Sequence, residues 1–91
     1  MNNKASRKEV QIALQSRLPE LRKALGLSQE EFADLIGKSR QGVSLFERGE
    51  RFITWETCLA IIAVAVNRDE NVLMDLYGEE FKNKFQKIVR N

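Results

Sequence analysis

Apolar residues recur along almost the whole chain at helical spacing. Val10, Ala13 and Leu14 predict a short first helix, and Leu18, Leu21 and Leu25, at i, i+3 and i+7, predict a second that Gly26 stops. Pro19 suits the first turn of that second helix, where its missing N–H costs little. In "LSQEEFADLIG", Ser28 and Glu31 make a capping box, Phe32, Leu35 and Ile36 supply the apolar stripe, and Gly37 ends the helix. Beyond a tight turn, Ser39 is placed to cap a helix that carries Val43 and Phe46 and stops at Gly49. Thr54 caps the next, from Trp55 to Val66, which is apolar on all sides and therefore expected at the centre. A strand is the alternative reading of its "LAIIAVAV". Leu73, Leu76 and Tyr77, then Phe81, Phe85, Ile88 and Val89 beyond Gly78, mark two closing helices.

The pattern predicts an all-α fold, a compact bundle of roughly five to seven short helices. The 91 residues suffice for one core without a metal or disulfide staple. Residues 1–16 read as an N-terminal arm or short helix, 17–66 as the central bundle and 67–91 as a C-terminal helical extension. The closing stripe of Phe81, Phe85, Ile88 and Val89 either packs back on the bundle or forms a dimerisation seam, with Leu76 at its edge.

Composition narrows the function. The lone Cys58 has no intramolecular partner, so a reducing cytoplasm is the expected compartment. "CLAIIAVAV" is nine residues long, well short of the ~20 that span a bilayer. "MNNKASRKEVQ" has a charged start with no apolar stretch behind it, which is not the pattern of a secretory signal. Residues 1–27 carry a net +4, 28–36 a net −3, 37–51 a net +2 and 52–91 a net −1, giving the chain's +2. A basic front and a neutral-to-acidic back suit one polyanion-facing surface, although solvated helix faces would produce the same distribution.

Enzymatic chemistry is poorly supplied. There is no histidine, no cysteine pair and no clustered set of metal ligands, so no metal, cofactor or catalytic residue is expected. "GKS" at 37–39 resembles the end of a phosphate-binding P-loop, but that motif needs a glycine where Phe32 stands.

Two short helices joined by a glycine-containing turn have the geometry of a helix-turn-helix. The spacing fits it: Phe32, Ile36, Val43 and Phe46 are the apolar contacts, Ala33 is the small residue at the crossing, and Gly37 turns the chain. "LRKALGLSQEEFADLIGKSRQGVSLFERGE" resembles the lambda-repressor-like, Cro-type DNA-binding family, also called the xenobiotic-response-element family, over roughly residues 18–66. Lys38 departs from the family's usual apolar residue in the turn. The resemblance implies that the second helix of the pair enters the major groove and the first lies across the backbone.

The helix starting after Ser39 supports that role independently. A helical wheel turns Val43, Phe46 and Glu47 toward the core and Gln41, Leu45 and Arg48 outward, with Gly42 and Ser44 on the flanks. Ser39, Arg40, Gln41, Gly42, Ser44 and Leu45 are the expected base-contacting residues. Arginine suits guanine O6 and N7, glutamine suits adenine N6 and N7, and glycine permits close approach to the groove floor. On the bland alternative, Arg40 and Gln41 merely decorate a solvated helix start. Leu45 suits a thymine methyl, or is one scattered exposed apolar residue. Gln29, Arg48 and Arg51 are the expected phosphate contacts, with Arg51 alternatively a solvated loop residue. Glu47 on one core face and Arg22 on another are misplaced charges of opposite sign, best explained as one structural ion pair. The family resemblance implies the same pairing. Trp55 and Cys58 read as core.

The expectation is a cytoplasmic, sequence-specific regulator, a repressor of bacterial or phage origin that binds double-stranded DNA as a homodimer on a palindromic operator. The rival reading is a protein-interaction module, such as the antitoxin of a toxin–antitoxin pair or a bridging adaptor.

Overall fold

The computed structural model describes residues 3–90, and among these every regular element is a helix. In order they are α1 (Asn3–Ser16), α2 (Leu18–Ala24), α3 (Gln29–Ile36), α4 (Arg40–Glu47), α5 (Trp55–Arg68), α6 (Val72–Tyr77) and α7 (Glu79–Arg90). The stretch "LAIIAVAV" is helical, within α5. Pro19 lies in the first turn of α2. Three glycines expected to end helices, Gly26, Gly37 and Gly49, all adopt positive φ, a conformation that a side chain resists.

The caps behave as side-chain chemistry dictates. Ser28 Oγ accepts from the Glu31 N–H, while Glu31 Oε1 accepts from the Ser28 N–H at 2.8 Å, closing a capping box on α3. Thr54 Oγ1 caps α5 by accepting from the Thr57 N–H. The turn from α3 to α4 spans Gly37, Lys38 and Ser39. Gly37 has φ 71°, and the Lys38 N–H donates to Ala33 O at 2.9 Å, so the turn is held by backbone bonds while Lys38 stays exposed.

One continuous core runs through all seven helices and includes Val10, Leu14, Leu18, Leu21, Phe32, Val43, Ile61, Phe81 and Ile88. Two alternatives left open by the sequence are decided, and two expectations need correcting. Of the arm and the short helix expected at the N terminus, the described residues 3–16 form a helix, 14 residues long, that packs on α5 and α7. Helix α5 is not buried all round: Thr57, Cys58, Ile61, Ile62 and Ala65 face the core, but Leu59 and Val66 are exposed, because its neighbours α1, α3 and α6 leave one side uncovered. Leu35 is half exposed, and the inner face of α3 is Phe32, Ala33 and Ile36 instead.

The alternative left open at the C terminus is decided as well. Phe81 and Ile88 are core residues, Leu76 and Phe85 pack against that core, and only Val89 is open to solvent. The stripe folds back. Tyr77 Oη donates to Leu14 O at 2.6 Å and Arg17 Nη1 donates to Leu76 O at 2.6 Å, tying the end of α6 to the front of the chain. Tyr77 stacks on Phe81, and Trp55, half-buried beneath the Arg7 guanidinium, meets Phe85. Helices α6 and α7 therefore share the core of the bundle.

Candidate nucleic-acid interface

Helix α4 divides its eight residues between two surfaces. Val43 and Phe46 point into the core, at 0% and 4% exposure. Ser39, Arg40 and Gln41 are exposed at its N-terminal end. Ser39 Oγ accepts from the Gly42 N–H at 3.0 Å, so this residue caps the helix while its hydroxyl proton stays available as a donor. Ser44 and Leu45 are half-buried, on the border between core and solvent.

Gly42 is misplaced by the wheel. It is buried, its N–H is committed to the cap, and a Cβ there would meet Ser39 Oγ at 3.3 Å. Its smallness serves the first turn of α4, and it offers no bare backbone at the exposed surface.

Arg22 and Glu47 meet directly. Arg22 Nε donates to Glu47 Oε2 at 2.6 Å and Nη2 to Oε1 at 3.2 Å, with side chains only 12% and 7% exposed. Arg22 Nη1 also donates to Leu27 O at 2.9 Å. Glu47 accepts a further bond from Gln29 Nε2 at 3.1 Å, a contact that sequence reasoning missed. Gln29 opens α3 and Glu47 closes α4, so the carboxylate joins α2, α3 and α4 at one point. The bond to Glu47 fixes the Gln29 amide, and its second N–H has no partner among the described residues.

The α3 N terminus carries Glu30 and Glu31 beside Gln29. Glu31 is occupied by the capping box, and the Ser28 N–H and hydroxyl beside it hold its carboxyl below the ordinary value of 4.5. It therefore remains ionised while bonded to the backbone.

After α4 the chain reverses at Gly49, whose φ is 73°. The Gly49 N–H donates to Phe46 O and the Glu50 N–H to Leu45 O, at 3.1 and 2.9 Å. This turn folds Glu50 back on Arg48, and Arg48 Nε reaches Glu50 Oε2 at 2.6 Å. Both side chains are more than half exposed, so the pair is worth about 0–1 kcal/mol and is readily exchanged for another anion. Arg51 is exposed on the same loop.

Sequence reasoning also missed what holds that loop. Gln15 Nε2 donates to Phe46 O and to Arg51 O, at 3.0 and 2.7 Å, and Gln15 Oε1 accepts from the Ile53 N–H at 3.1 Å. One turn earlier on α1, Gln11 Nε2 donates to Ile53 O at 2.8 Å. The available signal was two glutamines at i, i+4 beside the core residue Leu14.

Cys58 is fully buried, and burial pushes its thiol up to about 12, so it stays protonated and inert at neutral pH. Among the described residues no helix is long and apolar enough to cross a membrane.

No curated protein and no solved structure matches the chain. A family match does: residues 19–64, just over half of the chain, fit the helix-turn-helix family. That segment contains the α3–turn–α4 unit, the buried Arg22–Glu47 pair and the exposed N-terminal end of α4. The chain accordingly belongs to the helix-turn-helix family of DNA-binding transcription regulators.

Proposed function

We propose that this chain is a sequence-specific repressor that inserts α4 into the major groove of double-stranded DNA. The observation that carries the proposal is the exposure of Arg40 and Gln41 at the start of a helix whose inner side is locked into the core. Arg40 reads guanine and Gln41 reads adenine, with Ser39, Ser44 and Leu45 at the edge of the contact. Gln29 holds a backbone phosphate with its second N–H, and Arg48 and Arg51 hold others, Arg48 by exchanging Glu50 for a phosphate oxygen. Repression follows from occupancy of an operator in the cytoplasm and requires no chemistry.

One recognition helix covers too few base pairs for a unique genomic address. Two copies on a palindromic operator, with half-sites about 34 Å apart, supply the rest. Phe81 and Ile88 are spent on the core, and among the exposed apolar side chains Leu59 and Val66 on α5 with Met74 on α6 are the ones proposed for pairing. Sedimentation on palindromic and half-site duplexes tests the pairing. A monomer on both rules it out.

Selection of binding sites from random DNA at physiological salt, repeated with Arg40→Ala, tests the main reading. The variant should lose about 1–3 kcal/mol on the selected site and relax preference at one position, while nonspecific binding stays unchanged. Equal loss on all sequences would place Arg40 on the backbone instead.

A further inference from the structure

The loop after α4 carries two of the proposed phosphate ligands, Arg48 and Arg51, yet it has no regular structure between Glu47 and Trp55. An arginine on such a loop contributes most to DNA binding when the backbone beneath it is already fixed, since ordering it on contact costs conformational entropy. What fixes it here lies outside the matched segment. Helix α1 precedes residue 19, and its Gln15 side chain satisfies three backbone groups of this region at once: Phe46 O, Arg51 O and the Ile53 N–H. Gln11 adds the Ile53 carbonyl. A primary amide is the one neutral side-chain group with a carbonyl acceptor and two N–H donors, so glutamine can bridge strands of backbone that share no ladder.

We infer that α1 splints the phosphate-binding loop, and that Gln15 is a positioning residue for DNA binding that acts through Arg51. The inference rests on the proposed phosphate role of Arg51. Gln15 holds the Arg51 carbonyl at 2.7 Å, which fixes the point from which the guanidinium leaves the chain. It holds Phe46 O, in the last turn of α4, with the same amide nitrogen, so loop and recognition helix move as one body. The apolar packing of α1 on α5 and α7 anchors this amide from behind. The N-terminal helix thus belongs to the DNA-binding machinery without touching DNA.

The test measures binding to a short mixed-sequence duplex over a range of salt, well below the melting temperature, for the parent, Gln15→Ala, Arg51→Ala and the double variant. The slope of log K against log salt counts the phosphates neutralised. Gln15→Ala should lower it by about one, as Arg51→Ala does, and the double variant should fall no further. A structural role alone lowers the melting temperature and leaves the slope in place. An unchanged slope in Gln15→Ala beside a reduced one in Arg51→Ala overturns the splint and leaves the DNA reading standing. Additive losses in the double variant overturn the route through Arg51. An unchanged slope in Arg51→Ala removes the phosphate contact itself. If Gln15→Ala does not fold, Gln11→Ala, which removes only the bond to Ile53 O, should reduce the slope by a fraction of a unit.

Discussion

Glu47 takes three hydrogen bonds where α2, α3 and α4 meet, two from Arg22 and one from Gln29. Replacing it with alanine leaves a guanidinium that is 12% exposed without its counter-charge. Breaking a buried pair in this way costs about 3–5 kcal/mol, a large share of a small domain's stability. Urea melts of Glu47→Ala should show that loss, and a midpoint equal to the parent's would mean that the pair is not buried. The pair was legible in the sequence because a charge on an apolar helical face is conspicuous. Gln15 and Gln11 were not, since glutamine is neutral, common on exposed helices and silent about its partners until the fold brings residues 46–53 beside it. Gly42 was misread for the opposite reason. Its identity was informative, but a wheel gives a direction and cannot show that the Ser39 side chain closes over that direction.

Among the elements, those bounded by local chemistry were the most legible. The boundaries of α3 and α4 follow from Ser28, Glu31, Gly37 and Ser39, each acting within a few residues of itself. The capping box also predicts a pH dependence. Glu31 has a lowered pKa in the folded chain, so its contribution to stability is present above its ordinary value of 4.5 and is lost as pH falls from there through the lowered one. Glu20, bonded to Arg17, shifts in the same direction and adds to the effect. Melting curves of Glu31→Gln, which retains the cap geometry but cannot ionise, should converge on the parent's as pH is lowered through that range. A constant gap at all pH values would exclude the carboxylate as the source. The faces of α5 and Leu35 were harder to assign. Periodicity marks which residues are apolar, but which side finds a neighbour is decided by helices distant in sequence.

At the scale of the molecule, the C-terminal helices complete a core that begins at α1. Phe81 and Ile88 are 6% and 7% exposed, and Tyr77 reaches Leu14 O across 63 residues. Deleting residues 79–91 removes both side chains together and uncovers the α1 surface they cover. Truncating one large core side chain costs about 2–5 kcal/mol, so losing two with their helix approaches the whole of a ~5–15 kcal/mol stability. The shortened chain should lose its cooperative thermal transition and its near-ultraviolet circular dichroism. A sharp transition in it would show that residues 1–78 fold without α7. The sequence pattern left this stripe open between core and seam because an amphipathic helix presents the same face to a bundle and to a second copy. The contacts with α1 decide between them, and they span nearly the full chain.

Within α4, residues that stabilise the protein and residues proposed to address DNA are interleaved but scarcely overlap. Val43, Phe46 and Glu47 are held by the core, while Arg40 and Gln41 are surrounded by solvent. Exchanging the exposed pair costs the fold almost nothing, since surface substitutions away from caps and networks usually stay within about ±0.5 kcal/mol. Operator preference can therefore drift, or be rewritten by randomising two codons, without compensating changes in the scaffold. Duplicated copies of such a gene would be free to acquire separate operators long before either lost its shape.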